Sequence, residues 1–134
     1  MKPYPAFLLL LLLGTPILDA SDQELSRKEA ALNAALTQAD MNLRSGEIAE
    51  YLDRKLVRLE ERIRKDLAKK ALALFDQASL RWRAYREAQI RSEGDVYRGG
   101  SILPLIVSQA FIRLTNERLA ALQNLNPEGK YKAD

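Results

Sequence analysis

Apolar residues recur every three or four positions through the middle of the chain, and neither proline nor glycine interrupts the stretch from Glu47 to Glu93. This spacing places apolar side chains along one side of an α-helix, whereas the strict alternation typical of a β-strand appears nowhere. The pattern therefore predicts one long central helix. Its buried stripe is expected to consist of Ile48, Leu52, Leu56, Leu59, Ile63, Leu67, Leu74, Ala78, Trp82 and Tyr85.

A continuous central helix would be about 70 Å long, which is unusual for a small domain. A break between Asp66 and Phe75 is compatible with the pattern, although no residue marks one. Before the central helix, Thr37 begins a second capping pattern, so the segment that starts at Ser21 holds either one helix or two. After it, Ser101 is expected to cap a last helix that has Pro104 in its first turn.

The predicted fold class is all-α, an antiparallel helical hairpin or small helix bundle with one long central helix. The last helix is expected to fold back on the end of the central helix that contains Trp82. We expect one domain over residues 21–126, followed by a C-terminal tail at 127–134, because the chain is too short for two well-packed domains.

The N-terminus has the layout of a secretory signal peptide, which we expect to be cleaved after Ala20. Lys2 precedes an apolar run from Ala6 to Leu13, and this run is far shorter than the ~20 residues of a membrane-spanning helix. The chain has no cysteine to carry a lipid. The predicted location is therefore periplasmic or secreted, without stable membrane insertion after cleavage.

The residue inventory argues against catalysis, because the chain contains neither histidine nor cysteine. The commonest general base, the thiol nucleophile and the nitrogen and sulfur metal ligands are thus absent. We predict a protein that is not an enzyme and needs no cofactor or metal. The net charge is +3, but no aromatic residues interleave the basic run from Arg54 to Lys70, so we expect no nucleic-acid partner.

Charged residues on the central helix stand four positions apart, with Glu60 before Arg64 and Glu61 before Lys65. Such pairs are typical of a solvated helix face and contribute a few tenths of a kcal/mol each. The basic run around them is either an ordinary wet surface or an electropositive flank for an anionic partner.

An aromatic and basic block on the central helix is expected to carry structural residues. Trp82 and Tyr85 share the predicted buried face and should form a core aromatic pair. Arg86 lies close to the same face, so it is expected to bond a carboxylate or helix-end carbonyls, with Glu117 as a candidate partner.

Five other residues are candidates for partner binding. Arg81 and Arg83 point away from the predicted buried face. Asp95, Tyr97 and Arg98 lie in a segment flanked by Gly94 and by Gly99-Gly100. An exposed tyrosine and arginine on such a segment have the composition of an interface hot spot, although an ordinary helix connection explains the segment equally well.

Three blocks of this sequence resemble the lysozyme inhibitor LprI-like proteins of bacterial envelopes. They are TQADMN at residues 37–42 followed by Asp53 and Leu56, ASLRWRAYREA at 78–88, and the segment from Gly100-Ser101 through Pro104 to LTNER at 114–118. The resemblance implies an exported helical protein, which in some members inhibits lysozyme. Family members usually carry cysteines where this chain has Arg44, Ile90 and Ala110, and a glutamine where it has Ser79.

These observations support an exported, non-enzymatic binding protein that inhibits an envelope-attacking hydrolase. The target is either lysozyme-like or a secreted antibacterial effector for which this chain is the immunity protein. Lysozymes are typically cationic, so a chain of charge +3 gains no long-range attraction to them. The alternative is a structural or assembly protein of the envelope that forms a homodimer through its apolar stripe between Leu52 and Leu67.

Overall fold

A computed structural model describes residues 20–125 of the chain. This part contains four helices, α1 (Ala20–Asn33), α2 (Gln38–Lys65), α3 (Lys69–Asp95) and α4 (Leu103–Asn124), and no strand. The predicted all-α bundle is confirmed. The predicted signal peptide, apart from Ala20, and the predicted tail lie outside the described residues.

The structure divides the predicted central helix between α2 and α3, so a single continuous helix is wrong, and the break lies at the start of the interval from Asp66 to Phe75 that the pattern left open. The backbone amide of Asp66 donates to the carbonyl of Ile63 at 3.1 Å, which tightens the last turn of α2. Ala68 then adopts an extended conformation (φ −66°, ψ 156°) ahead of α3, without a side-chain cap. Neither feature requires glycine, proline or a capping residue, so the residue types in this segment do not predict where the helix breaks.

The starts of α2 and α4 differ in how well local sequence determines them. The Thr37 hydroxyl accepts a hydrogen bond from the backbone amide of Asp40 at 3.1 Å, so the two-helix alternative before the central segment is correct. The predicted cap at Ser101 is wrong, because Ile102 precedes α4 and no side chain caps it. The Ser101 carbonyl instead accepts a hydrogen bond from the Asn42 side chain at 3.0 Å, which ties the α3–α4 connection to α2.

The main core forms around α2, which packs against α4 most extensively and also against α1, while α3 packs against α4. The α2 half of the predicted stripe is buried, and Leu56 and Leu59 are fully enclosed. Burying one leucine side chain contributes about 1.5–3 kcal/mol. The buried cluster consists of Ile48, Tyr51, Leu52, Leu56, Leu59, Ile63, Leu119 and Leu122. A homodimer through this stripe is thereby contradicted, because the bundle itself covers Leu52 to Ile63.

The α3 half of the predicted stripe is mostly wrong, since of its four residues only Trp82 packs against the main core. Leu74 is 61% exposed and Tyr85 is 54% exposed, so Tyr85 does not form a core aromatic pair with Trp82. The buried residues of α3 are Ser79, Arg86, Ile90 and Gly94. Because the helix is interrupted before α3, the buried face of α3 does not continue the buried face of α2. The buried face of α3 also contains polar residues, which the spacing of apolar residues does not reveal.

None of the helices within residues 20–125 is both long and apolar enough to cross a membrane.

Candidate functional site

Arg86 connects three helices from a buried position. It is 5% exposed, and one guanidinium nitrogen donates to Asp53 Oδ1 on α2 at 2.8 Å and to Thr115 Oγ1 on α4 at 3.1 Å. The sequence placed Arg86 near the buried face, but its carboxylate partner is Asp53 and not Glu117. Glu117 instead lies 3.5 Å from Arg113 on its own helix.

Aromatic rings enclose the Arg86 guanidinium. Its central carbon lies 4.8 Å from the centroid of the Trp82 ring and 3.9 Å from that of Phe111. A guanidinium over an aromatic face gains electrostatic attraction while its edge remains free to donate hydrogen bonds. Trp82 is half-buried and also packs against the main core. Trp82 therefore joins the hydrophobic core to the polar interior of the bundle.

A second buried polar cluster lies farther along α2. Glu60 is 6% exposed, and its Oε2 accepts a hydrogen bond from Arg83 at 2.7 Å. Its other oxygen lies 3.9 Å from a guanidinium nitrogen of Arg118, which also donates to the Ser79 hydroxyl at 3.2 Å. Burial lowers the pKa of the Arg118 guanidinium, and the charge of Glu60 opposes this effect. The cluster holds α2, α3 and α4 together through charge-assisted hydrogen bonds.

The contacts of this cluster correct two expectations drawn from the sequence. The solvated pair of Glu60 and Arg64 is wrong, because Glu60 faces the interior and Arg64 reaches across to Asp76 on α3 at 3.1 Å. Arg83 does not point away from the bundle as expected, since its ion pair with Glu60 directs it toward α2.

Six residues from the blocks that carry the family resemblance meet in this polar interior. They are Asp53, Ser79, Trp82, Arg86, Thr115 and Arg118. The buried charges are paired, although Glu60 Oε1, Arg86 Nε and Arg118 Nε have no hydrogen-bond partner. Paired buried charges favour one packing arrangement because separating them would leave each charge without its partner. The signature residues thus position the helices, and a partner-binding surface must be sought elsewhere.

Two of the three positions at which the resemblance places cysteines lie together. Ile90 on α3 and Ala110 on α4 belong to one buried cluster with Leu114. Apolar packing therefore joins α3 and α4 at these positions in a chain that has no thiol. Arg44, at the third position, makes ion pairs within α2.

The connection between α3 and α4, residues 96–102, is exposed along its whole length and borders a groove. Tyr97 is 41% exposed, and Arg98 is exposed and ion-paired with Asp95. Gly99 has φ +79°, a conformation that glycine adopts without strain. The structure thus brings together three of the five predicted partner-binding residues, Asp95, Tyr97 and Arg98.

The other two predicted partner-binding residues lie far from this loop. Arg81 is exposed on α3, and its separation from Asp95 along the helix is about 21 Å at 1.5 Å per residue. Arg83 is a similar distance away and is paired with Glu60. The five residues therefore do not form one surface.

An apolar groove of about 490 Å³ lies beside the loop, and sequence reasoning missed it. Its floor is formed by Ile90, Gly94, Leu103 and Val107, and charged side chains that include Arg98 line its rim. A Cβ atom on Gly94 would lie 3.1 Å from Leu103 and 3.2 Å from Val107, so glycine permits this close approach of α4. The sequence analysis placed Gly94 in the loop, whereas the structure places it in the last turn of α3.

The sequence model of the family described as lysozyme inhibitor LprI matches residues 16–122, which is most of the chain. No curated protein and no solved structure matches it. The match covers every helix that builds the polar interior and the loop with its groove. The chain therefore belongs to the lysozyme inhibitor LprI family.

Proposed function

We propose that this chain is an exported, non-enzymatic protein that binds and inhibits an envelope-attacking hydrolase. The target is a lysozyme-like enzyme or a secreted antibacterial effector for which the chain is the immunity protein. Family membership supports inhibition by protein binding. The signal-peptide layout of residues 1–20 supports export to the periplasm, and the lack of histidine and cysteine supports a role without catalysis.

The observation that carries the proposal is the juxtaposition of an exposed Tyr97 and Arg98 with the apolar groove. Tyrosine and arginine dominate binding hot spots because each offers a large contact area together with hydrogen bonds. The groove between α3 and α4 is open to an apolar side chain of the target. Asp95, through its ion pair with Arg98, orients the arginine at the groove rim.

The loop is held firmly enough to present these side chains. Both of its ends are helix termini, and the Asn42 side chain bonds its last turn through the Ser101 carbonyl. A preorganised loop loses less conformational entropy on binding, so more of its contact energy appears as affinity. Rigid helix ends combined with a protruding loop suit insertion into or over an enzyme cleft.

Charge bears on the identity of the target. The chain has a net charge of +3, which gives no long-range attraction to a cationic lysozyme. An acidic hydrolase would gain such attraction from the basic flank of α2, defined as Arg54 to Lys65. This flank should mainly raise the association rate, with an effect that weakens as salt rises.

The decisive experiment captures the target from envelope extracts with the purified protein and then titrates it against variants. The Tyr97→Ala, Arg98→Ala double variant should lose about 2 kcal/mol or more per residue, which is roughly a thirtyfold weakening for each. The matched variant Arg58→Glu, Lys65→Glu changes two exposed residues of the basic flank. It should slow association at low salt and behave like wild type at high salt.

The opposite pattern would place the site on α2. If the loop variant binds like wild type while the charge-reversed variant loses affinity at every salt concentration, the loop is not the binding surface. An assay of cell-wall hydrolysis by the captured enzyme then separates inhibition from mere binding. A captured hydrolase whose turnover is unchanged by saturating protein contradicts the proposed function.

A further inference from the structure

The first turns of α3 differ from the rest of the helix in how they are held. We call residues 69–78 the start segment of α3. None of its residues is buried, whereas the remainder of the helix buries a residue in almost every turn. Within the segment, Phe75 is half-buried and packs against the main core. Helix α3 packs mainly against α4 and not closely against α2, so the contacts that hold the start segment to α2 are made by side chains.

Local sequence also stabilises the start segment poorly. Ala68 precedes the helix and offers no side-chain cap, in contrast to Thr37 at the start of α2. Lys69 and Lys70 place positive charges at the helix N-terminus, where the helix dipole disfavours them, and no acidic residue lies in the first turn. Each of these features lowers the free energy that is needed to unwind the segment.

An ion pair fastens the start segment to α2 beside a cavity. A guanidinium nitrogen of Arg64 lies 3.1 Å from Asp76 Oδ1, and both side chains are partly exposed. The cavity has a volume of about 340 Å³ and is also lined by Val57 and Glu60 of α2 and by Leu80 of α3. Partly exposed ion pairs contribute little to stability, so this contact is easily broken.

Opening of the start segment would also hydrate atoms that lack partners in the closed arrangement. Asp76 Oδ1 and Glu60 Oε1 are buried, and neither has a hydrogen-bond partner among the residues that the structure describes. Arg64 approaches Asp76 Oδ1 closely but out of hydrogen-bond alignment. A buried acceptor without a donor costs free energy that hydration recovers. Admitting water to Asp76 and to the cavity that Glu60 lines therefore favours the open form.

We propose that the start segment of α3 unwinds and opens reversibly from α2 while the rest of the bundle stays folded, with the Arg64–Asp76 ion pair controlling the opening. The second half of α3 remains in place because Arg86 bonds it to α2 and α4. The open form gives access to the cavity between α2 and α3. The segment lies about 25 Å along α3 from the α3–α4 loop, so the inference does not depend on the proposed inhibitor function.

Hydrogen exchange of backbone amides, followed by NMR on the purified wild-type protein, tests the proposal directly. Amides of residues 73–78 should exchange at least about 100-fold faster than those of residues 86–94, after correction for intrinsic rates. Low urea concentrations should leave the faster rates unchanged, because a local opening exposes little surface, and should accelerate the slower ones. Equal protection along the whole of α3 would overturn the proposal.

Two variants distinguish control by the ion pair from a general loss of stability. Arg64→Gln removes the ion pair from the α2 side and should speed exchange of residues 73–78 about two- to fivefold. Ala68→Ser supplies the missing cap and should slow the same amides by a similar factor. Exchange of residues 86–94 should stay at the wild-type rate in both variants.

The matched control is Arg54→Gln, which breaks an exposed ion pair with Glu50 within α2. It should leave exchange unchanged in both halves of α3. An Arg64→Gln effect that spreads evenly over α3 contradicts the proposal, because it reports global destabilisation. Wild-type rates for residues 73–78 in both Arg64→Gln and Ala68→Ser contradict it as well.

Discussion

Helices α2 and α3 have nearly the same length, 28 and 27 residues, but they bury different chemistry. The inner face of α2 is mostly aliphatic, with Leu56 and Leu59 fully enclosed. The inner face of α3 holds Ser79 and Arg86 beside Ile90 and Gly94. On its outer side, by contrast, α3 leaves three large apolar residues exposed, Leu74, Leu80 and Tyr85.

The two helices therefore contribute different kinds of stabilising interaction. α2 supplies non-directional hydrophobic energy, which stabilises any compact packing of the bundle. α3 supplies directional contacts, because Arg86 can donate to Asp53 and Thr115 only when both lie at hydrogen-bond distance. The apolar residues that α3 keeps outside then remain available for other molecules.

The largest effect on stability is expected for a substitution in the aliphatic core of α2. Leu56→Ala should reduce the free energy of unfolding by about 3–5 kcal/mol, because it removes a fully buried side chain and leaves a cavity. The matched change Leu74→Ala on the exposed side of α3 should alter it by less than about 0.5 kcal/mol. Urea denaturation followed by circular dichroism measures both. Equal losses would mean that α3 buries Leu74 in solution.

The next largest effect on stability distinguishes Trp82 from Tyr85, two aromatic residues of α3. Trp82→Ala should cost about 3 kcal/mol, at the lower end for a core aromatic because Trp82 is half-buried against Arg86 and the main core. Tyr85→Ala should have little effect on stability, since Tyr85 is more than half exposed. Thermal melts of the two variants check this, and a Tyr85 variant that melts as early as the Trp82 variant would contradict the orientation of α3.

A smaller effect isolates the directional contacts of α3. Arg86→Met keeps most of the side-chain volume but removes the bonds to Asp53 and Thr115, so it should cost about 2–3 kcal/mol. Asp53→Asn should also be destabilising, because it leaves the buried Arg86 without a counter-charge, although the asparagine oxygen can still accept a hydrogen bond from it. In the double variant the two losses should not add, since each disrupts the same ion pair. Strict additivity of the unfolding free energies would show that Arg86 and Asp53 are uncoupled.

The smallest effect concerns pH at the far end of α3. Hydrogen bonds from Gln89 and then from Arg113 lower the pKa of Glu93. A carboxylate with a lowered folded-state pKa stabilises the fold above its unfolded pKa of about 4.3 and loses this contribution as pH falls through the folded value. Glu93→Gln should therefore slightly reduce the urea midpoint at neutral pH and leave it unchanged in acid. An equal reduction at both pH values would remove the ionic explanation.

Local sequence predicted the parts of the fold that depend on near neighbours along the chain. The spacing from Ile48 to Ile63 identified the buried face of α2, and Thr37 identified its start. The glycine-flanked position of Tyr97 and Arg98 identified an exposed loop. The spacing left a break between Asp66 and Phe75 open but did not fix its position, because an extended backbone at Ala68 is open to any residue.

The sequence by itself determined an all-α fold, the aliphatic face of α2, a chain without thiols and membership of the LprI family. Only the tertiary structure decided which face of α3 turns inward, that Asp53 is the carboxylate bound by Arg86, and that Glu60 is buried. The physical reason is the range of the interactions. Helix periodicity acts over three or four residues, whereas the Arg86 bonds join residues about thirty positions apart and exist only after the helices have packed.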